Sequence, residues 1–381
     1  MSIRRLLTPA LIGKGPMPTI FSSNQHASTP AAPESPTSTP PVEPAPDAPV
    51  VQSAPDWQKL ERTEMGETAA QTLPEDSAPA IDTPTVIVDP DPAKHSFINR
   101  DSLESPYFPT WCPGCGNFGV WTALKNALSE LKMPEEEVVI VYGVGCSGNM
   151  ADFNRVYGFH ALHGRAISNA VAIKAANHRL KVIVVAGDGD TYGEGLNHFI
   201  SAMRGNHDIT LLVHDNQVYG LTTGQTAPTT TKGTITKSTP FGAPEVPINP
   251  IGVALTADAT FIARGFSGNI RHLTDLIKKA IQHPGFSLVD MFQPCFTFNK
   301  VNTYHYFKER VYYLQESNFA ANHKVVAWEK TFEHDKLPIG IFYEDPYSVP
   351  FHKTLTQLEV GPLTTQSIST VNMDAALSNY S

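Results

Sequence analysis

The chain has 381 residues, with 28 Lys plus Arg against 37 Asp plus Glu and a formal net charge of −9. A surface that follows a phosphate backbone needs a basic excess, so the charge argues against nucleic-acid binding. No run reaches the roughly 18 apolar residues of a membrane span, and four cysteines are too sparse for a disulfide-stapled secreted fold, which points to a reducing, cytoplasmic setting.

Seventeen of the 32 prolines fall in the first hundred residues, among Ser, Thr, Ala and Glu, as in "STPAAPESPTSTPPVEPAPDAPV" from Ser28. Such a segment buries too little apolar surface to offset the entropy of ordering it, so residues 1–98 are expected to form a disordered arm. Its start is basic, with Glu34 the first acid, which has some of the character of a targeting segment. Pro9, Gly13 and Gly15 interrupt any helix there, and a disordered cytosolic tail is the favoured reading.

Residues 99–345 suffice for one large α/β domain, with 346–381 left as a C-terminal tail. From Asn117, apolar residues at 118, 121, 124, 128 and 131 predict a helix. The pattern then runs strand (137–143), helix (164–180), strand (181–187), helix (194–205) and strand (208–216), and resumes as strand (259–266), helix (270–283) and strand (285–293). Residues 226–258 lack strong periodicity and read as an ordered loop over a site. Continuous Val/Ile/Leu strands alternating with helices predict a mostly parallel sheet covered by helices on both faces. Ligands in such sheets bind beyond the carboxyl ends of the strands, and there lie "GVGCSGN", "GDGD" and "DNQVYGLTTGQ".

In "AGDGD", Gly187 and Gly189 let the backbone turn tightly toward an anion at a helix start. Asp188 offers a hard oxygen ligand, and Asn216, at the end of the next strand, adds an amide oxygen. Carboxylate, amide, carbonyl and phosphate oxygens suit Mg²⁺. A lone Gly-Asp-Gly is often only a turn; the paired Asn216 and the glycine-rich loop after it favour the metal reading.

Cys112 and Cys115 form a CxxC pair, while Cys146 and Cys295 come from distant loops just past strand ends. A redox dithiol would need no further cysteines. A zinc site more often pairs two knuckles, and an iron-sulfur cluster would use all four thiols.

The Gly-Asp-Gly with an Asn about 27 residues on resembles the magnesium-diphosphate motif of thiamine diphosphate enzymes, although Asp215-Asn216 stands where those usually have Asn-Asn. With "CPGCG", "GVGCSGN", "LHGRAISNAVAIK" and "DNQVYGLTTGQTAPT", the stretch from about Pro106 to about Phe298 resembles the beta subunit of 2-oxoacid:ferredoxin oxidoreductases. That resemblance implies a thiamine diphosphate-binding diphosphate-domain fold. It implies a 4Fe-4S cluster on Cys112, Cys115, Cys146 and Cys295, Mg²⁺ on Asp188, Asn216 and the Val218 carbonyl, and a diphosphate lined by Gly187, Gly189, Asp190, Gly220, Leu221 and Thr222. Ser147, His163 and Thr223 are the expected catalytic contacts. The reaction implied is coenzyme A-dependent oxidative decarboxylation of a 2-oxo acid, 2-oxoglutarate or pyruvate, with electrons passing to ferredoxin and an alpha subunit supplying the aminopyrimidine half of the site. Two other readings stand beside it: half of a non-oxidative thiamine diphosphate decarboxylase or synthase, and a zinc-stabilised scaffold whose proline-rich arm recruits partners.

Overall fold

The computed structural model describes residues 96–367 and 377–378. Nearly all of the expected N-terminal arm and the end of the expected tail lie outside the described residues. Helix α1 (Asn117–Leu131) leads into strand β1 (Val138–Tyr142), followed by β2 (Tyr157–His160), α2 (Ala166–Ala176), β3 (Lys181–Gly187), α3 (Leu196–Arg204) and β4 (Ile209–Asp215). A two-residue hairpin follows, β5 (Val218–Tyr219) with β6 (Gln225–Thr226), then α4 (Pro250–Thr256), β7 (Phe261–Phe266), α5 (Ile270–Gln282) and β8 (Ser287–Phe292). The chain continues through α6 (Tyr304–Arg310), β9 (Val311–Tyr313), α7 (Lys324–Lys330) and β10 (Leu337–Glu344).

Eight strands form one sheet in the order β2-β1-β3-β4-β8-β7-β10-β9, parallel except that β10 runs antiparallel to β7. The runs "ITLLVHD" and "SLVDMF" are buried at every residue because helices cover both faces. One face packs against α1 and α5 through Val120, Leu124, Leu128, Leu273 and Ile277; the other packs against α2, α3 and α4 through Ile167, Phe199, Met203 and Ile251. The sheet matches the expected fold class.

Several elements carry little sequence signal. β2 is exposed along its length, so no apolar run marks it. The stretch 226–258 ends in a short helix, α4, whose first turn is capped by Asn249 Oδ1 accepting the Gly252 N–H at 3.0 Å. Packing also crosses both expected domain boundaries. Ile98 is 2% exposed and donates its N–H to the Met133 carbonyl at 2.8 Å. Past residue 345, the Phe351 N–H bonds the Asn206 carbonyl at 3.0 Å, His352 stacks on His178 with centroids 5.2 Å apart, and Leu358 is buried. Those anchors are single apolar or ring residues within short 3₁₀ turns, which have no periodicity to read.

Two histidines are buried neutral in this core. Burial holds His214 down to about 3 and His283 down to about 4. His214 Nδ1 bonds Asn117 Oδ1 at 2.8 Å, and His283 Nε2 bonds Thr260 Oγ1 at 2.9 Å. A folded-state pKa below the unfolded value means the unfolded chain binds more protons, so stability is lost as pH falls below about 6.5. Urea unfolding between pH 6.5 and 5 is expected to lose up to ~2.7 kcal/mol per pH unit from the pair. His214→Gln should lower the measured slope by up to ~1.4 kcal/mol per pH unit; an unchanged slope would remove His214 from this account.

Candidate functional site

The carboxyl ends of four adjacent strands, β1, β3, β4 and β8, feed the loops that carry Cys146, Asp188, Asn216 and Cys295. A parallel sheet necessarily places such loops on one rim, and here they enclose two cavities. The first, about 190 Å³, is lined by Val144, Gly145, Cys146, His163, Gly187 to Asp190, Asn216 and Val218 to Thr222. The second, about 160 Å³, is lined by Cys112, Cys115, Cys146, Cys295, Gly220, Leu221 and neighbours from 110–111, 149 and 296–298. Cys146, Gly220 and Leu221 belong to both, so they form a shared wall. A Cβ on Gly220 would stand 3.6 Å from both Cys146 Sγ and Cys295 Sγ.

In the first cavity Asp188 is 2% exposed. Its Oδ2 accepts the Gln217 N–H at 3.0 Å and the Thr229 hydroxyl in a short bond. Burial pushes its carboxyl up to about 6, against the lowering effect of Thr229 and of the Gly189 and Gln217 amides. Asp215 is buried beside it, and burial with the charges of Asp290 and Asp188 carries its carboxyl well above the usual range. Arg264, 2.9 Å from Asp290 through Nε, is the cation that partners this group of acids. An ionised Asp188 therefore lacks a counter-charge, which a cation in the cavity would supply. Asn216 reaches the same cavity; its Oδ1 accepts the Val218 N–H at 3.1 Å, and its Nδ2 donates to Gln293 at 3.1 Å. Among the described residues no three His, Cys, Asp or Glu side chains converge on a single-ion site. Mg²⁺ needs no such trio, because it takes one or two carboxylates and completes its shell with neutral and phosphate oxygens. The donor set fits it.

The second cavity gathers the thiols through a docked turn. The Cys115 N–H bonds the Cys112 carbonyl at 2.9 Å over Gly114, whose φ of +82° favours glycine. The Gly116 N–H then bonds the Pro294 carbonyl at 3.1 Å, joining the CxxC turn to the Cys295 loop. Trp111 Nε1 donates to the Cys146 carbonyl at 2.6 Å. Burial raises the Cys115 thiol to about 12 and the Cys146 thiol to about 11, and it also raises Cys295. Backbone amides of 297 to 299 offset part of the rise at Cys295, and that of Asn117 does so at Cys115. Four-thiolate zinc would bring sulfurs within about 3.8 Å of one another. These thiols do not converge on one ion, whereas a cluster spreads its ligands over several irons and is tuned by N–H···S bonds such as these. The residues fit a cluster.

Two family models match this region. The thiamine pyrophosphate enzyme C-terminal TPP-binding domain matches residues 143–291, and the C-terminal part of the pyruvate ferredoxin oxidoreductase beta subunit matches residues 295–360. The 2-oxoacid:ferredoxin oxidoreductase subunit beta of Saccharolobus solfataricus is 45% identical over 248 residues, 62% of this chain and 81% of that protein. The chain belongs to the 2-oxoacid:ferredoxin oxidoreductase beta-subunit family. The 2-oxoglutarate oxidoreductase subunit KorB of Mycobacterium tuberculosis is 43% identical over 189 residues, 50% of this chain and 51% of that protein. Among solved structures, a 2-oxoglutarate:ferredoxin oxidoreductase from Magnetococcus marinus, with 2-oxoglutarate, coenzyme A and succinyl-CoA bound, superposes with a TM-score of 0.69 at 31% identity, covering 76% of this chain and 98% of that one.

In this beta-subunit fold the sequence-predicted residues do not all face the first cavity. Gly187, Asp188, Gly189, Asn216, Val218, Gly220, Leu221, Thr222 and His163 line it. Thr223 does not: it sits at the hairpin tip in the left-handed region, φ +75°, and its hydroxyl accepts from Lys237 at 3.3 Å. Ser147 is 4% exposed and is not on that lining, although a Cβ on Gly187 would be 3.6 Å from its Oγ. Asp190 is on the lining, but its carboxylate is taken by protein donors: the Gly164 N–H at 2.6 Å, His163 Nδ1 at 2.8 Å and the Val144 N–H at 3.3 Å. Lys174 is paired rather than catalytic, 2.6 Å from Asp208.

Sequence reading missed Thr229, Gln217, Gln293 and Gly143. Thr229 stands in a run of threonines with nothing to single it out. Gly143 has a role only in three dimensions, since a Cβ there would overlap Asp190 Oδ2. Gly143→Ala must therefore displace that carboxylate. It is expected to lower turnover at least tenfold while leaving far-UV circular dichroism unchanged; wild-type turnover would mean that the carboxylate can shift without consequence.

Proposed function

We propose that this chain is the catalytic beta subunit of an enzyme that oxidatively decarboxylates a 2-oxo acid, 2-oxoglutarate or pyruvate, to its acyl-CoA and passes the electrons through one 4Fe-4S cluster to ferredoxin. The observation that carries this reading is the wall of Cys146, Gly220 and Leu221 shared by the two cavities. It is one residue thick, so a group in the first cavity lies within short electron-transfer range of the four thiols. Thiamine diphosphate supplies the electron sink that allows a 2-oxo acid to lose CO₂.

The chain's own residues position and shield. Asp188, Asn216 and the Val218 carbonyl hold Mg²⁺; Gly187 and Gly189 let the backbone approach a diphosphate; Gly220, Leu221 and Thr222 close over it. Cys112, Cys115, Cys146 and Cys295 hold the cluster. All four cysteines of the chain are used in this way, which leaves electrons no second cluster in this polypeptide. The fold provides the diphosphate half of a thiamine site, and an alpha subunit supplies the aminopyrimidine half. The setting is cytoplasmic, where thiols stay reduced; among the described residues no helix is long and apolar enough to cross a membrane.

The test is an anaerobic preparation of the assembled enzyme. About four irons per chain, a broad visible absorption near 400 nm that bleaches when 2-oxo acid and coenzyme A are added, and bound thiamine diphosphate are expected. Zinc without iron would remove the electron-transfer function.

A further inference from the structure

Asp190 stands two residues from Asp188 on the same glycine-rich turn and on the lining of the same cavity, yet both of its oxygens are engaged by the protein. Oδ1 accepts the Gly164 N–H at 2.6 Å and meets His163 Nδ1 at 2.8 Å, while Oδ2 takes the Val144 N–H at 3.3 Å. A carboxylate can only accept, so the proton of the neutral imidazole must sit on Nδ1. The ring is held on a second side by an edge contact with Tyr219, centroids 6.1 Å apart at 71°. No described residue hydrogen-bonds Nε2, the imidazole side chain is 42% exposed, and His163 lines the cavity with Asp188.

We propose that Asp190 is a positioning residue for His163, fixing the tautomer that offers Nε2 to the 2-oxo acid in the cavity. The inference rests on the function proposed above. The bare Nε2 accepts a hydrogen bond in the neutral ring; in the protonated ring it donates one to a substrate oxygen, and the Nδ1–H stays on Asp190 in both states. The same device orients imidazoles in other active sites, where a wrong tautomer costs far more than a lost contact. It also gives a reason for Gly143, where a side chain would overlap Asp190 Oδ2.

The experiment compares the assembled wild-type enzyme with Asp190→Ala, His163→Ala, the double variant and Asp190→Asn. Each alanine variant is expected to lose at least 100-fold in kcat, and the double variant to lose no more than about threefold beyond His163→Ala, because Asp190 acts through the ring. Asp190→Asn keeps the shape of the side chain but can turn its amide N–H₂ to Nδ1 and hold the opposite tautomer, so it should lose about as much as Asp190→Ala. Losses that multiply in the double variant would make Asp190 a loop clamp on Val144 and Gly164 and overturn the proposal. A second measurement does not depend on folding of the variants. In ¹⁵N-histidine-labelled wild-type enzyme, the His163 resonances, identified by their absence from His163→Ala, should show a protonated Nδ1 and a bare Nε2. The opposite tautomer overturns the proposal. A wild-type enzyme with the expected tautomer that fails to oxidise any 2-oxo acid would instead overturn the function.

Discussion

Asp188→Asn is expected to lower activity at least 10³-fold and to abolish binding of Mg²⁺ with thiamine diphosphate, while making the metal-free protein more stable. The two effects share one cause. Burial raises the Asp188 carboxyl from 3.8 to about 6, so its ionised form at pH 7 costs the metal-free fold on the order of 3 kcal/mol. Asparagine keeps an oxygen for the Gln217 amide and the Thr229 hydroxyl and carries no charge to desolvate. Recovery of even ~1 kcal/mol raises Tm by about 2–4 °C in a domain of this size. The sign is opposite to that of the buried histidines. With its folded pKa above the unfolded value, Asp188 stabilises the metal-free protein as pH falls from about 6 toward 4. Calorimetry in chelator for stability, and titration with Mg²⁺ and thiamine diphosphate for binding, separate the two effects. A lower Tm together with intact binding would show that Asp188 is structural and sits away from any cation.

Cys146→Ala should remove or convert the cluster and cut ferredoxin reduction at least 10³-fold, yet leave thiamine diphosphate binding within a few-fold of wild type. Cys146 holds its position through the backbone, where its carbonyl accepts the Trp111 indole N–H, so truncating the side chain leaves the loop in place. The loss is therefore of a ligand and of the wall between the cavities. Because burial holds the Cys115 and Cys146 thiols at about 12 and 11, metal loading must displace protons and should slow as pH is lowered. Iron content and visible absorption report the cluster; coenzyme titration reports the neighbouring site. An unchanged brown cluster in this variant would refute the ligand assignment and leave the thiamine site standing.

The legible part of the fold is the part with strong period. "KVIVVAG" and "ITLLVHD" are strands in the structure at the expected places, and Asn117–Leu131 is a helix, because a buried parallel strand and a two-sided helix each impose a pattern on consecutive residues. β2, β9 and β10 lie toward the edges of the sheet, where exposure or an irregular pairing between Ile341 and Tyr343 weakens that pattern. The packed segment after residue 345 escaped for the same reason.

The site divides along a related line. Glycines, Asp188, Asn216 and the four cysteines were readable because their chemistry is unusual at their spacing, and a parallel sheet must bring the loops after its strands to one rim. Contacts between those loops carry no such local signature. That Asp190 turns to His163, that Thr223 faces Lys237, that Thr229 reaches back 41 positions to Asp188, and that Cys146, Gly220 and Leu221 line both cavities are facts of which backbone passes which. The sequence alone determined the sheet, the rim and the inventory of ligands, since those follow from periodicity and residue chemistry. Tertiary structure decided which oxygen is free, which is spent on a neighbouring loop, and how thin the wall is, because hydrogen-bond partners far apart in the chain are chosen by packing.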